Sequence, residues 1–212
     1  MPGRSSSLLR DYNTFNDVDE SITVYLRTDK RVNAKARNLR AEATALFNWL
    51  KSPRGWSRMT FSDDLEHHIF VKFSDELSID EIFYLFDVGE GELTYKRKPQ
   101  RFITEANESK VVKKDETLYN PYPYESFPLY EVDGAGDITL YIGSRSCVIK
   151  GLSGTIYIDA EMQASYTFFN GILTPANNKV LNDIPTLSSD RTNISWLGNV
   201  TSLKIKPRWW TL

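Results

Sequence analysis

Glu20-Ser21-Ile22-Thr23-Val24-Tyr25-Leu26-Arg27 alternates apolar Ile22, Val24 and Leu26 with Thr23, Tyr25 and Arg27. Successive side chains leave a strand on opposite faces, so this period of two predicts a strand with one face laid on a core. The next stretch has another period. From Asn33 to about Lys51, Ala36, Leu39, Ala43, Leu46, Phe47 and Leu50 recur three or four apart and draw one apolar stripe down a helix, with Asn33 placed to cap it. Ser52-Pro53-Arg54-Gly55 ends the helix, because proline has no backbone N–H to donate and glycine tolerates the turn.

Beyond the helix the pattern turns β again. Trp56 to Phe61, Ile69 to Phe73, Glu81 to Val88 and Leu93 to Arg97 are short β-rich runs, separated by Ser-Asp-Glu, Gly89-Glu90-Gly91 and Asp-rich turns. One helix against a small sheet fits residues 1–103. Thr104 to Glu116 is polar, lacks aromatic residues and precedes the proline-spaced Asn120-Pro121-Tyr122-Pro123-Tyr124, so the stretch 104–118 is read as a linker. Over 119–212 no window carries a helical stripe. Turn signals recur at Asp133-Gly134-Ala135-Gly136, Ile142-Gly143-Ser144, Gly151-Leu152-Ser153-Gly154 and Pro175-Ala176-Asn177-Asn178, a spacing that predicts an all-β sandwich. The fold class is therefore mainly β, in two domains.

The 212 residues are 41% hydrophobic, 25% charged and 13% aromatic, a composition that buries a core and excludes a disordered or collagen-like chain. The longest apolar runs, such as Ile82 to Phe86, fall far short of the roughly 18 residues a membrane helix needs. The N-terminus has no apolar stretch behind its basic residues, so synthesis is expected to end in the cytoplasm of the cell that makes it. With 26 Lys and Arg against 28 Asp and Glu, the formal net charge is −2, which lacks the positive excess that nucleic-acid binding draws on. Neither half of the chain is basic. A single cysteine, Cys147, rules out an internal disulfide and a multi-thiolate zinc site, and its setting reads as a half-buried strand position.

Asp63, Asp64, Glu66, His67 and His68 are the densest group of potential metal ligands or acid–base residues. Adjacent histidines on an extended segment point to opposite faces, and no HExxH spacing accompanies them, so the group reads as a solvated turn entering the strand at Ile69. No GxSxG elbow surrounds any serine. Gly134-Ala135-Gly136 lacks the GxGxxG spacing and reads as a hairpin turn. Asp159 and Glu161 stand two apart, as a glycosidase pair on one strand face would, but such pairs are common on exposed strands. Trp196, Trp209 and Trp210, with the tyrosines from Tyr119 to Tyr130, could stack on sugars in a β-sandwich lectin, although aromatic residues more often serve cores and subunit contacts. No catalytic, cofactor or metal residue is assigned.

An ordered set of motifs goes further. Asn120-Pro121 and Pro128-Leu129-Tyr130 are followed by Gly136-Asp137-Ile138-Thr139-Leu140, Gly154-Thr155-Ile156-Tyr157-Ile158-Asp159-Ala160-Glu161 and Ile184-Pro185-Thr186-Leu187. Asn193-Ile194-Ser195-Trp196, Gly198-Asn199-Val200 and Pro207-Arg208-Trp209 close the series, while Pro2-Gly3-Arg4, Trp49-Leu50 and Ser62-Asp63-Asp64 extend it into the first half. Together these resemble the distal tail proteins of long-tailed phages and prophages of Gram-positive bacteria, in which further residues precede the PGR turn. The resemblance implies an N-terminal belt domain that assembles six copies into a ring around the tail channel, and an outer, galectin-like C-terminal β-sandwich. It implies a structural hub in the virion tail, made in the host cytoplasm, that joins the tail tube protein to a baseplate or tail-tip protein and in some relatives holds a receptor-binding protein. No cofactor, membrane or specific nucleic acid enters this role.

A ring needs two different surfaces on each belt domain. Trp49, Trp56, Phe61, Phe70 and Phe73 are the candidates for its core or subunit contacts. A carbohydrate-binding β-sandwich for cell-wall recognition is the alternative, and a glycoside-cleaving enzyme a third.

Overall fold

The structure, a computed structural model, describes residues 15–27, 39–73, 78–83 and 88–212. The expected PGR turn, residues 33–38 of the expected helix with its Asn33 cap, the Ser-Asp-Glu turn at 74–76 and residues 84–87 of the expected Glu81 to Val88 strand lie outside them. The chain divides into two compact units, the first taking in residues up to Met59 with Ile69–Pro99, the second Thr60–His68 with Gln100–Leu212.

One sheet has the order β1 (Val18–Arg27), β5 (Val88–Ile103), β3 (Asp64–Lys72) and β2 (Ser57–Phe61), with β4 (Ser78–Phe83) also on β5. β1 is antiparallel to β5 over its whole length, from Val18 opposite Arg97 to Arg27 opposite Val88. Its alternation works as the sequence predicts: Ile22, Val24 and Leu26 are half-buried while Ser21, Thr23 and Tyr25 are exposed. The helix α1 (Leu39–Lys51) packs on β1 and buries Ala43, with Leu46, Phe47 and Leu50 half-buried beside it. Glu42 in its first turn and Lys51 in its last suit the helix dipole, and the Ser52 hydroxyl donates to the Trp49 carbonyl at 2.8 Å before Pro53 stops the chain. The small core of this unit is Ile69, Val71 and Tyr95, with Ile22, Met59 and Phe73 packed against it.

The second unit holds the larger core. Three long strands, β8 (Leu129–Ile142), β9 (Arg145–Asp159) and β13 (Arg191–Lys206), form its centre, and β6 (Lys110–Val112), β7 (Glu116–Tyr119), β10 (Ala164–Phe169), β11 (Ile172–Pro175) and β12 (Val180–Leu181) flank them. The sheet runs β11-β10-β9-β8-β13-β6, with β12 on β9 and β7 on β13; β14 (Trp210–Thr211) pairs with Arg101 and Phe102 of β5.

The glycine clusters read as turns are inside strands. Gly134-Ala135-Gly136 sits within β8 and Gly151 to Gly154 within β9, where the pairing register slips instead of reversing. The slip is a bulge: Gly136 faces Leu152 but Ile138 faces Ile149, so β9 carries an extra residue, and Gly151 there takes φ +56°. The inward positions of β9 accordingly change parity, from Cys147 and Ile149 to Leu152, Ile156 and Ile158. β13 makes a matching change, from Thr192 and Ile194 to Leu203 and Ile205, across slips after Leu197 and Val200. Residues from both ends of all three strands join one core, so the sheet is bent over itself.

At that bend β8 and β13 come so close that a Cβ on Gly134 would stand 2.4 Å from the Asn199 carbonyl oxygen, and one on Gly198 2.4 Å from that of Asp137. Only glycine fits at either position.

Within the stretch 104–118, expected as a linker, Lys110–Val112 and Glu116–Leu118 are strand residues of this sheet. β6 pairs with Leu203–Ile205 and β7 with Arg191–Ile194, one at each end of β13. Its polarity arises because both strands lie at the margin of the sheet and bury little beyond Val112 and Leu118.

Candidate functional site

The five aromatic residues singled out for core or subunit contacts fall into two groups. Phe73 and Phe70 are half-buried; the Phe73 ring stands 5.7 Å from that of Tyr95, in the small core. The Tyr95 hydroxyl donates to Glu20 at 3.0 Å, and burial together with that carboxylate pushes its pKa to about 12. Trp49, Trp56 and Phe61 are open to solvent, at 69%, 37% and 39% exposure. Trp49 lies on the outer side of α1, three residues from the helix-capping Ser52, while the Lys98 ammonium sits 5.9 Å from the Trp56 ring and 5.6 Å from that of Phe70.

The acidic–histidine group is not a solvated turn. β3 begins at Asp64, so both histidines are strand residues, and neighbours on a strand face opposite ways. His68 is buried, stacked on Phe102 at 5.7 Å, with Nε2 3.2 Å from the Asn107 amide. His67 turns to the other side, with Nδ1 2.8 Å from the Asp64 carboxylate and Nε2 2.6 Å from the Tyr122 hydroxyl. A carboxylate only accepts, so Nδ1 donates to Asp64, and in the neutral ring Nε2 accepts from Tyr122. Arg101 pairs with the second Asp64 oxygen. The His67 hydrogen bond, with Arg101 adding to it against partial burial, holds the Asp64 carboxyl below its ordinary value. The arrangement fastens the Pro-Tyr-Pro-Tyr loop to the start of β3. No group of three or more metal-ligating side chains occurs among the described residues.

Asp159 and Glu161 do not form an acid–base pair. Asp159 is buried at the end of β9 and receives Arg208 through two hydrogen bonds, while the amides of Glu161 and Met162 donate to it at 2.9 and 3.2 Å. Burial alone would lift its carboxyl; Arg208 and the two amides outweigh burial and hold it below the usual range. Cys147 is fully buried in the large core, which pushes its thiol up to about 12 and leaves it the inert reading of the sequence rather than a nucleophile.

The tryptophans do not make an open sugar platform. Trp196 and Trp209 pack against the large core, and Trp210 is 8% exposed, stacked on Tyr124 at 4.4 Å with its indole N–H donating to the Glu125 carbonyl at 3.0 Å. Thr117, Tyr119, Arg191 and Asn193 line an open depression of about 560 Å³ on the β7–β13 surface.

A cluster of exposed apolar residues of the second unit lies elsewhere, on the hairpin of β10 and β11. Phe168, Phe169, Ile172 and Leu173 are 53%, 71%, 69% and 53% exposed. The sequence carries a signal for this surface that motif reading passes over: from Met162 to Asn178 no residue is charged.

No protein-family model matches the chain, and no curated protein matches it. Among solved structures it is similar to the crystal structure of SPP1 Dit (gp 19.1), a protein described as a paradigm of the hub adsorption apparatus in phages infecting Gram-positive bacteria. The TM-score is 0.67 at 12% sequence identity, and the match covers 100% of this chain and 86% of that one. The chain thus has the mainly β fold of that protein through both of its units.

Proposed function

We propose that this chain is a structural component of a phage or prophage tail, the distal hub ring that joins the tail tube to the baseplate or tail-tip protein. The observation that carries the reading is the extent of the fold likeness, which takes in the whole chain and not the all-β half alone. A lectin or a glycosidase would account for that half only. Neither carboxylate pairing nor tryptophan exposure supports them, since Asp159 is engaged by Arg208 and the three C-terminal tryptophans are packed.

In this reading six copies assemble through the first domain, and the two groups of aromatic residues divide the work. Phe73 serves the core of each copy, while Phe70, half-buried on the other face of β3, shares Lys98 with Trp56. Trp49, Trp56 and Phe61, open in a single copy, are covered by neighbours in the ring, where large aromatic side chains contribute most to protein contacts. The tail tube, a tail-tip protein and a receptor-binding protein are the partners such a hub would hold, and the virion tail is its place. Antibody labelling of particles from the phage or induced prophage that encodes the chain tests this directly. Label at the far end of the tail, with a hexamer by native mass spectrometry, is expected; label on the capsid or none on particles, with a chain monomeric at every concentration, overturns the proposal.

A further inference from the structure

The tip of the β10–β11 hairpin is Asn170-Gly171, and no other asparagine of the chain is followed by glycine. Both residues are exposed and take positive φ, +49° and +76°, in a two-residue turn that pairs Phe169 with Ile172. The Asn170 carboxamide has no hydrogen-bond partner among the described residues, and a Cβ built on Gly171 would meet nothing within 4 Å.

The carbonyl carbon of an asparagine side chain is an electrophile, and the backbone nitrogen of the next residue is the nucleophile placed to close a ring on it. A side chain on that next residue crowds the approach; glycine has none. Other asparagines of the second unit are shielded. Asn120 precedes Pro121, whose nitrogen carries no proton, and Asn193 and Asn199 precede β-branched Ile194 and Val200 inside β13. The Asn177 side-chain oxygen accepts from the Ser165 N–H, and the Asn107 amide lies against His68. Asn182, also at positive φ, +70°, is followed by the bulkier, acidic Asp183.

Ring closure needs rotation about Asn170, so the turn must open first. Little holds it shut: β11 pairs with β10 alone, through four exposed residues of which the last, Pro175, has no N–H to give. So short a hairpin at the margin of a sheet opens locally at small cost.

We propose that Asn170 is a site of spontaneous deamidation. A solvent base takes the Gly171 amide proton while its nitrogen bonds to the Asn170 side-chain carbonyl carbon; the bond from that carbon to Nδ2 breaks, and ammonia leaves with a proton from water. Water then opens the resulting succinimide. Attack at the side-chain carbonyl gives aspartate, and attack at the backbone carbonyl leaves the chain running through the former side chain, as isoaspartate. Either product places a carboxylate in a stretch, Met162 to Asn178, that carries no charge. Isoaspartate also adds a carbon to the main chain of a turn whose length sets the Phe169–Ile172 register.

Ageing the full chain in warm, mildly alkaline buffer tests this, read by peptide mapping in the mass spectrometer and by an isoaspartate methyltransferase assay. Asn170 is expected to convert roughly tenfold faster than Asn182 in the same sample, because no Cβ obstructs it. Gly171→Asn restores a Cβ in a residue that tolerates positive φ, and should slow the loss at Asn170 by roughly the same factor. Amide hydrogen exchange in β11 should quicken in the isoaspartate form but not in Asn170→Asp, which carries the charge on an unaltered main chain. Asn170 intact for as long as Asn182, a loss unchanged in Gly171→Asn, or exchange alike in the isoaspartate form and Asn170→Asp overturns the inference.

Discussion

Arg208 meets Asp159 through two parallel hydrogen bonds of 2.8 and 2.9 Å, with the carboxylate side chain only 4% exposed. The two residues are 49 apart in sequence, and the contact ties the segment after β13 to the end of β9. Removing one member of a buried pair leaves the other charge without its main partner, which costs up to about 3–5 kcal/mol; here the Glu161 and Met162 amides still reach Asp159 and Glu161 stands 3.4 Å from Arg208. Arg208→Ala or Asp159→Asn is therefore expected to lower unfolding stability by up to that amount in urea titrations. A loss below about 1 kcal/mol would show the pair to be incidental.

The same carboxyl gives stability a pH dependence of definite sign. Its pKa is lowered by folding from a reference of 3.8, so its contribution is present above that value and is lost as pH falls through the folded pKa. Melting temperature should stay level from neutral pH to about 5 and then fall below about pH 4. In Asp159→Asn the fall should be shallower, since that carboxyl's share is gone, but still present, because Asp64, Glu116 and Asp137, also lowered, remain.

Glycine substitutions at the bend separate crowding from conformation. Gly198 combines φ +101° with an alanine Cβ 2.4 Å from a carbonyl oxygen, so Gly198→Ala should destabilise the protein by about 3 kcal/mol or more. Gly136 has φ +81° in open space and Gly55 has neither constraint. Gly136→Ala is expected to cost about 1 kcal/mol and Gly55→Ala to be neutral, an order that thermal melts of the three variants can check.

The exposed Lys113-Lys114-Asp115 turn is the expected site of tryptic nicking. Because β6 and β7 on either side of it both pair with β13, the two products should run apart on a denaturing gel and together in native gel filtration. Fragments that separate under native conditions would mean that 104–118 links domains without belonging to the sheet.

Local pattern carried part of this fold. β1 and the stripe of α1 are visible because one face of each meets a core, whereas Cys147 reads as a half-buried strand residue and is fully buried. The bend was not visible. Gly134-Ala135-Gly136 has the composition of a turn, and only the continued pairing of Ile138 and Leu140 with β9 shows that the strand passes through it. Nor does anything near Asp159 announce a partner at Arg208, or anything near His67 a hydroxyl at Tyr122; these are contacts of topology, 49 and 55 residues apart. Among the aromatic candidates, sequence gave bulk but no direction, so Trp49 and Phe73 looked alike until one proved open and the other packed.

The place of β13 has a consequence for synthesis. It lies between β8 and the pair β6 and β7, yet it is made after all of them. A nascent chain that has reached only residue 190 holds β8 with one long edge bare and β6 and β7 without a neighbour. The core residues of the second unit therefore wait, exposed, until residue 206 clears the ribosome, and then close late and together. A ribosome stalled between those two points would release the form of this protein most prone to stick to its own kind.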